Sequence, residues 1–148
     1  MQTIQEVMTR DVQTISTQET VQRAAQLMDE LNVGAIPVVD DGKLVGMVTD
    51  RDITVRSVAV GQDPTTTRVN DVMSTDVRTC TADQSVEEVL DTMGDVQIRR
   101  IPVLDAQSKV IGIVSLGDVA TRHAADVDLT LDEISTPSEP DRSTTGQP

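Results

Sequence analysis

Apolar residues recur along this chain with two different periods. Val21, Ala24, Ala25, Met28 and Leu31 fall at helical spacing, as do Val86, Val89, Leu90 and Met93. Residues 34–40 and 43–49 are short, mostly apolar runs joined at Asp41-Gly42, a pair suited to a two-residue hairpin. The pattern predicts a strand around Gln13 to Ser16, a helix from Thr20, two hairpin-joined strands, and a second helix from about Asp50 to Val60. The same series follows downstream. A strand around Arg78 to Thr81 leads to a helix at Ser85, where Ser85-x-x-Glu88 fits a capping box. The last helix runs from Leu116 to about Ala124.

This parallel is a duplication. Val7-Met8-Thr9 returns as Val72-Met73-Ser74, and Ile36-Pro37-Val38 as Ile101-Pro102-Val103, both at an offset of 65. Gly46-Met47-Val48-Thr49 returns as Gly112-Ile113-Val114-Ser115 at 66, which implies one inserted residue in the turn before the last strand. Three blocks in a fixed order imply an α/β (α+β) protein of two tandem repeats, each strand-helix-strand-strand-helix. The expected division is a first repeat over residues 1–62, a linker over 63–68, a second repeat over 69–125 and an acidic, disordered tail over 126–148. A repeat of about 60 residues buries little apolar surface alone, so the two are expected to share a core.

Composition narrows the functions. With no Phe, Tyr or Trp, the core must be aliphatic, and a planar ligand must be gripped by methyl groups and peptide planes. A net charge of −13 argues against nucleic acid and anionic membranes as partners, since both need a basic face. One Cys, Cys80, excludes an internal disulfide and suits a buried apolar role. No apolar run reaches the roughly 20 residues of a membrane span, and no signal-peptide pattern opens the chain, so a cytoplasmic protein is expected. The single His123 and distant Cys80 offer no nucleophile and base pair. Asp40-Asp41 and Asp50-x-Asp52 lack the ordered oxygen ligands of a calcium loop, so no metal and no catalytic residue is expected.

The blocks Gly34-Ala35-Ile36-Pro37-Val38 and Gly46-Met47-Val48-Thr49-Asp50-Arg51-Asp52 resemble those of the cystathionine-β-synthase (CBS) domain. So do Arg99-Arg100-Ile101-Pro102-Val103 and Gly112-Ile113-Val114-Ser115-Leu116-Gly117-Asp118. Two copies make the arrangement similar to a Bateman module, and residues 46–63 are similar to stand-alone CBS pairs of the hypoxic-response type, linked to stress. The resemblance covers about residues 1–125 and implies two repeats packed with pseudo-twofold symmetry. It further implies a regulatory, non-catalytic module that forms a disc-like homodimer and signals to a target protein. No cofactor would be required. The implied ligands are AMP, ADP, ATP or S-adenosylmethionine, held in clefts between the repeats.

Carried onto this sequence, the first cleft takes Thr49 and Asp52 for the ribose and Met47 and Val77 as adenine walls. Pro102 belongs to the same cleft, and Arg51, Arg99 and Arg100 supply cations for phosphate. An ionised carboxylate suits a vicinal diol because it can accept two O–H bonds. The second cleft takes Ser115 and Asp118 with Ile113 and Val12, but receives Gly34, Ala35 and Pro37, which carry no charge. One nucleotide site, in the first cleft, is the expectation. Thr49-x-x-Asp52 and Ser115-x-x-Asp118 are also capping boxes, and two adjacent Arg could equally be a solvated strand edge. A ligand-free dimerisation or interaction module is the alternative function.

Overall fold

A computed structural model describes residues 2–96, 99–117 and 119. In chain order its elements are α1 (Ile4–Val7), β1 (Ile15–Ser16), α2 (Val21–Leu31), β2 (Ala35–Asp40), β3 (Lys43–Thr49) and α3 (Asp50–Ile53). Then follow β4 (Cys80–Thr81), α4 (Val86–Val96), β5 (Arg100–Leu104) and β6 (Val110–Ser115).

Local chemistry explains most boundaries. The Thr20 hydroxyl accepts from the Arg23 N–H at 3.1 Å and starts α2, and Asn32 ends it in the left-handed region with φ 57°. At the start of α4, Ser85 N–H donates to the Glu88 carboxylate and Glu88 N–H donates to the Ser85 hydroxyl, both at 3.1 Å. Asp41 and Gly42 have φ 54° and 79°, which closes the β2–β3 hairpin with the twist its strands need. The matching turn of the second repeat is longer, as the offset required. There Ser108 takes φ 66°, and the Asp105 carboxylate accepts from the N–H groups of Gln107 and Lys109 at 2.8 and 3.0 Å.

One expected helix is different. From Asp50 the α-helix continues only to Ile53, and Thr54–Val58 form a π-helical turn in which the Ala59 N–H reaches the Thr54 carbonyl at 2.8 Å. The run Ile53-Thr54-Val55 is β-branched and loses side-chain freedom in an α-helix, which weakens its continuation. The second repeat's last helix beyond Gly117 and Val119, His123 and the expected tail lie outside the described residues.

Each repeat builds one three-stranded sheet, in the orders β1-β2-β3 and β4-β5-β6, with the first pair parallel and the second antiparallel. A proline sits in each central strand. Pro37 pairs with Met47, while β1 reaches only Val38 and Val39; Pro102 pairs with Ile113, while β4 reaches only Val103 and Leu104. The missing N–H therefore falls where the short neighbouring strand makes no ladder.

The compact units cut the chain differently from the repeats. Among the described residues, one unit spans Gln13–Val77, and the other joins the segment up to Val12 to those from Arg78 onward. Within each unit the described residues form one cluster of buried side chains. Ile15, Val21, Ala24, Ile36, Val38 and Val48 bury together with Val69 and Val72, which lie beyond the first repeat's helices. Val86, Leu90, Met93, Ile101, Val103 and Val114 bury together with Ile4, Val7 and Met8, from the opposite end of the chain. Each repeat thus completes its core with the apolar segment that precedes the other repeat's first strand.

Candidate functional site

The corner between β3 and α3 is built by the Thr49-x-x-Asp52 spacing. Thr49 is extended, with φ −117°, and its hydroxyl accepts from the Asp52 N–H at 3.0 Å. The Asp52 carboxylate Oδ2 accepts from the Thr49 N–H, also at 3.0 Å. The capping box is therefore formed. Two further groups converge on the same carboxylate, which is only 8% exposed. Ser74 donates its hydroxyl to Oδ1 and Oδ2 at 3.2 and 3.4 Å, and the Arg56 Nε lies 4.0 Å from Oδ1. Arg56 also donates to the carbonyls of Val72 and Met73 at 3.3 and 3.1 Å.

Glycine makes this convergence possible. Ser74 and Met47 exchange two backbone hydrogen bonds, at 2.9 and 2.8 Å, across the position of Gly46. A Cβ on Gly46 would lie 2.6 Å from the Ser74 carbonyl oxygen, closer than packed atoms tolerate. The second repeat repeats the device. Thr9 and Ile113 exchange backbone bonds at 2.8 and 3.0 Å, and a Cβ on Gly112 would meet Met8 Sδ at 2.6 Å and the Thr9 carbonyl oxygen at 3.0 Å.

The expected residues fall into two groups. In the unit of residues 13–77, Met47 is buried beside the Thr49–Asp52 corner, Val77 is half-buried and Arg51 is exposed. There too, the Gly34 carbonyl accepts from the Asp50 N–H at 3.0 Å, Ala35 pairs with Thr49, and Pro37 pairs with Met47. In the other unit, Arg99 and Arg100 are half-buried. Arg100 opens the central strand opposite Ser115, the Arg99 carbonyl accepts from the Leu116 N–H at 2.9 Å, and Pro102 is buried opposite Ile113. Val12 and Ser115 are half-buried there. Asp118 lies outside the described residues.

Two participants escaped the sequence reading, although both had a signal. Ser74 occupies the hydroxyl position of the duplicated Val-Met-[Thr/Ser] block, opposite Thr9 in the other copy. Arg56 stands four residues after Asp52, the spacing of a helical ion pair, and Arg122 stands four after Asp118. Elsewhere, burial pushes the Cys80 thiol up to about 12, which removes it as a nucleophile. Among the described residues no group of three or more His, Cys, Asp and Glu is placed to hold a metal. None of their helices is long and apolar enough to cross a membrane.

The sequence model of the CBS domain matches twice, over residues 4–58 and 69–124. The chain belongs to the CBS domain family. It is 46% identical over 123 residues to the CBS domain-containing protein YhcV of Bacillus subtilis, covering 83% of this chain and 86% of that one. A crystal structure of Hypoxic Response Protein I with two coordinated zinc ions matches with TM-score 0.73 and 36% identity, over 80% of this chain and 97% of that one. A crystal structure of CBSX2 in complex with AMP matches with TM-score 0.72 and 26% identity, over 86% and 99%. With two copies and little else in the matched span, this is a CBS pair, a regulatory module.

Proposed function

We propose that this CBS pair binds an adenosine-containing ligand, of the class AMP, ADP, ATP or S-adenosylmethionine, and passes its occupancy to a target protein. The observation that carries the reading is the Asp52 carboxylate, fixed by Thr49 and beside the buried Met47, an arrangement able to accept the two O–H groups of a ribose. The likeness to CBSX2, solved with AMP, supports the ligand class. Arg99 and Arg100 are assigned to phosphate, because guanidinium groups bind its oxygens in pairs. Within this reading the fold supplies binding and no reaction.

Calorimetric titration of AMP tests it. Wild type binds, and Asp52→Asn weakens binding by removing the charge while keeping the shape. Arg99→Ala loses roughly 10- to 100-fold in affinity, corresponding to about 1.5–3 kcal/mol for a charge-assisted contact. Loss of binding in Asp118→Ala with Asp52→Asn unaffected overturns the assignment.

A second reading, an interaction module that works without a ligand, is favoured by one surface. Val55, Val58 and Val60 are 44, 61 and 64% exposed on and just after the π-helical turn. Three neighbouring exposed valines suit contact with another protein, a second copy of the chain included. Light scattering of Val58→Asp decides it: a lowered mass in the variant, with no AMP-induced rise in melting temperature in wild type, favours this reading.

A further inference from the structure

The Asp52 carboxylate carries more partners than a helix start needs. Its capping duty uses the Thr49 N–H alone. The Ser74 hydroxyl straddles both oxygens, and Ser74 directly follows Val72 and Met73, which pack into the core of its unit. Val72 is fully buried in the core, Ser74 is half-buried, and Thr75 and Asp76 are exposed. Burial therefore anchors this segment at Val72. Beyond it Met73 still packs against the core, and polar contacts add to the hold: the Arg56 guanidinium on two carbonyls, the Met47 bridge, and the Ser74 hydroxyl on Asp52.

A carboxylate offers about four lone-pair directions. The Thr49 N–H holds one in the geometry of the helix start, and Arg56 stands near Oδ1. A ribose brings two O–H donors at once. The partner that can leave is the Ser74 hydroxyl, which departs by rotation about one single bond with no backbone movement. We infer that Ser74 is an internal competitor for the Asp52 carboxylate: it sets the affinity of the site, and a ligand that binds there loosens the segment around Ser74. This rests on the reading of Asp52 as the ribose-binding group. It adds an affinity-determining residue and a route by which occupancy alters the surface at Thr75 and Asp76.

Two measurements test the inference. In the ligand-free protein, the Ser74 amide, which donates to the Met47 carbonyl at 2.8 Å, reports the fastening through hydrogen exchange. Asp52→Asn and Ser74→Ala are each expected to speed its exchange, and the double variant to speed it no further than the faster single one. Unchanged exchange in Asp52→Asn shows that the carboxylate does not hold the segment and overturns the inference. In titrations with AMP, Ser74→Ala is expected to bind about tenfold tighter, the worth of one net hydrogen bond to a charged group. Ser74→Thr, which keeps the hydroxyl, stays near wild type. Equal or weaker AMP binding by Ser74→Ala, with Asp52→Asn still impaired, overturns the competition and leaves the ribose reading standing. AMP binding that ignores Asp52→Asn sinks both.

Discussion

Two side chains show how placement, more than residue type, decides chemistry in this protein. Cys80 lies in β4 with its thiol 3.8 Å from the Pro102 carbonyl, and burial raises it to about 12. At pH 8 roughly one molecule in ten thousand carries the thiolate, so the native protein is expected to resist thiol reagents until it unfolds. A time course with Ellman's reagent, with and without denaturant, checks this; rapid labelling of native protein would contradict it. Asp63 lies at the opposite extreme, on an exposed turn. The hydroxyl and N–H of Thr65 both donate to its Oδ1, at 2.7 and 2.9 Å, and hold the carboxyl below its ordinary 3.8. Because its folded value is depressed, the turn's contribution is present above 3.8 and lost as pH falls through the lowered folded value. An NMR titration should find the Asp63 carboxyl titrating below its ordinary 3.8, and Thr65→Ala should bring it back up.

At the scale of elements, the duplicated Gly-x-x-[Thr/Ser] blocks owe their glycines to close approach of backbone. Gly46 admits the Ser74 carbonyl, and Gly112 admits Met8 and the Thr9 carbonyl. Neither is described with a positive φ, so the space, and not the dihedral, requires glycine. Gly46→Ala is expected to push the segment at Ser74 off β3 and to cost about 1–3 kcal/mol, measured by denaturant unfolding. A change within a few tenths would mean the neighbouring backbone gives way freely. Most elements were legible beforehand, because α2 and α4 have caps and period and the Asp41-Gly42 hairpin has its turn chemistry. The π-helical turn was not. A β-branched run weakens an α-helix, but nothing in spacing alone says that the chain will widen by one residue and continue.

For the whole molecule, the unexpected feature is the exchange of segments between repeats. Ile4 and Val7 are fully buried, yet in the core that contains Ile101, Val103 and Val114. Val69 and Val72 are fully buried among Ile36, Val38 and Val48. Ile4→Ala should therefore destabilise the protein by about 2–5 kcal/mol. Its effect on hydrogen-exchange protection should fall on β5 and β6 before β2 and β3. Equal loss in both sheets, or loss in β2 and β3 first, would refute the assignment of α1 to that core.

The sequence by itself determined the duplication, the aliphatic core, the strand-helix-strand-strand order and the Thr49–Asp52 cap. Each rests on local spacing or on composition, which a single chain displays directly. Tertiary structure alone decided which repeat the apolar segments complete, because Val7-Met8 and Val72-Met73 are equally apolar and their partners lie far along the chain. It also brought Ser74 onto the Asp52 carboxylate. Ser74 stands 22 residues from Asp52, and only the return of the chain across Gly46 closes that distance.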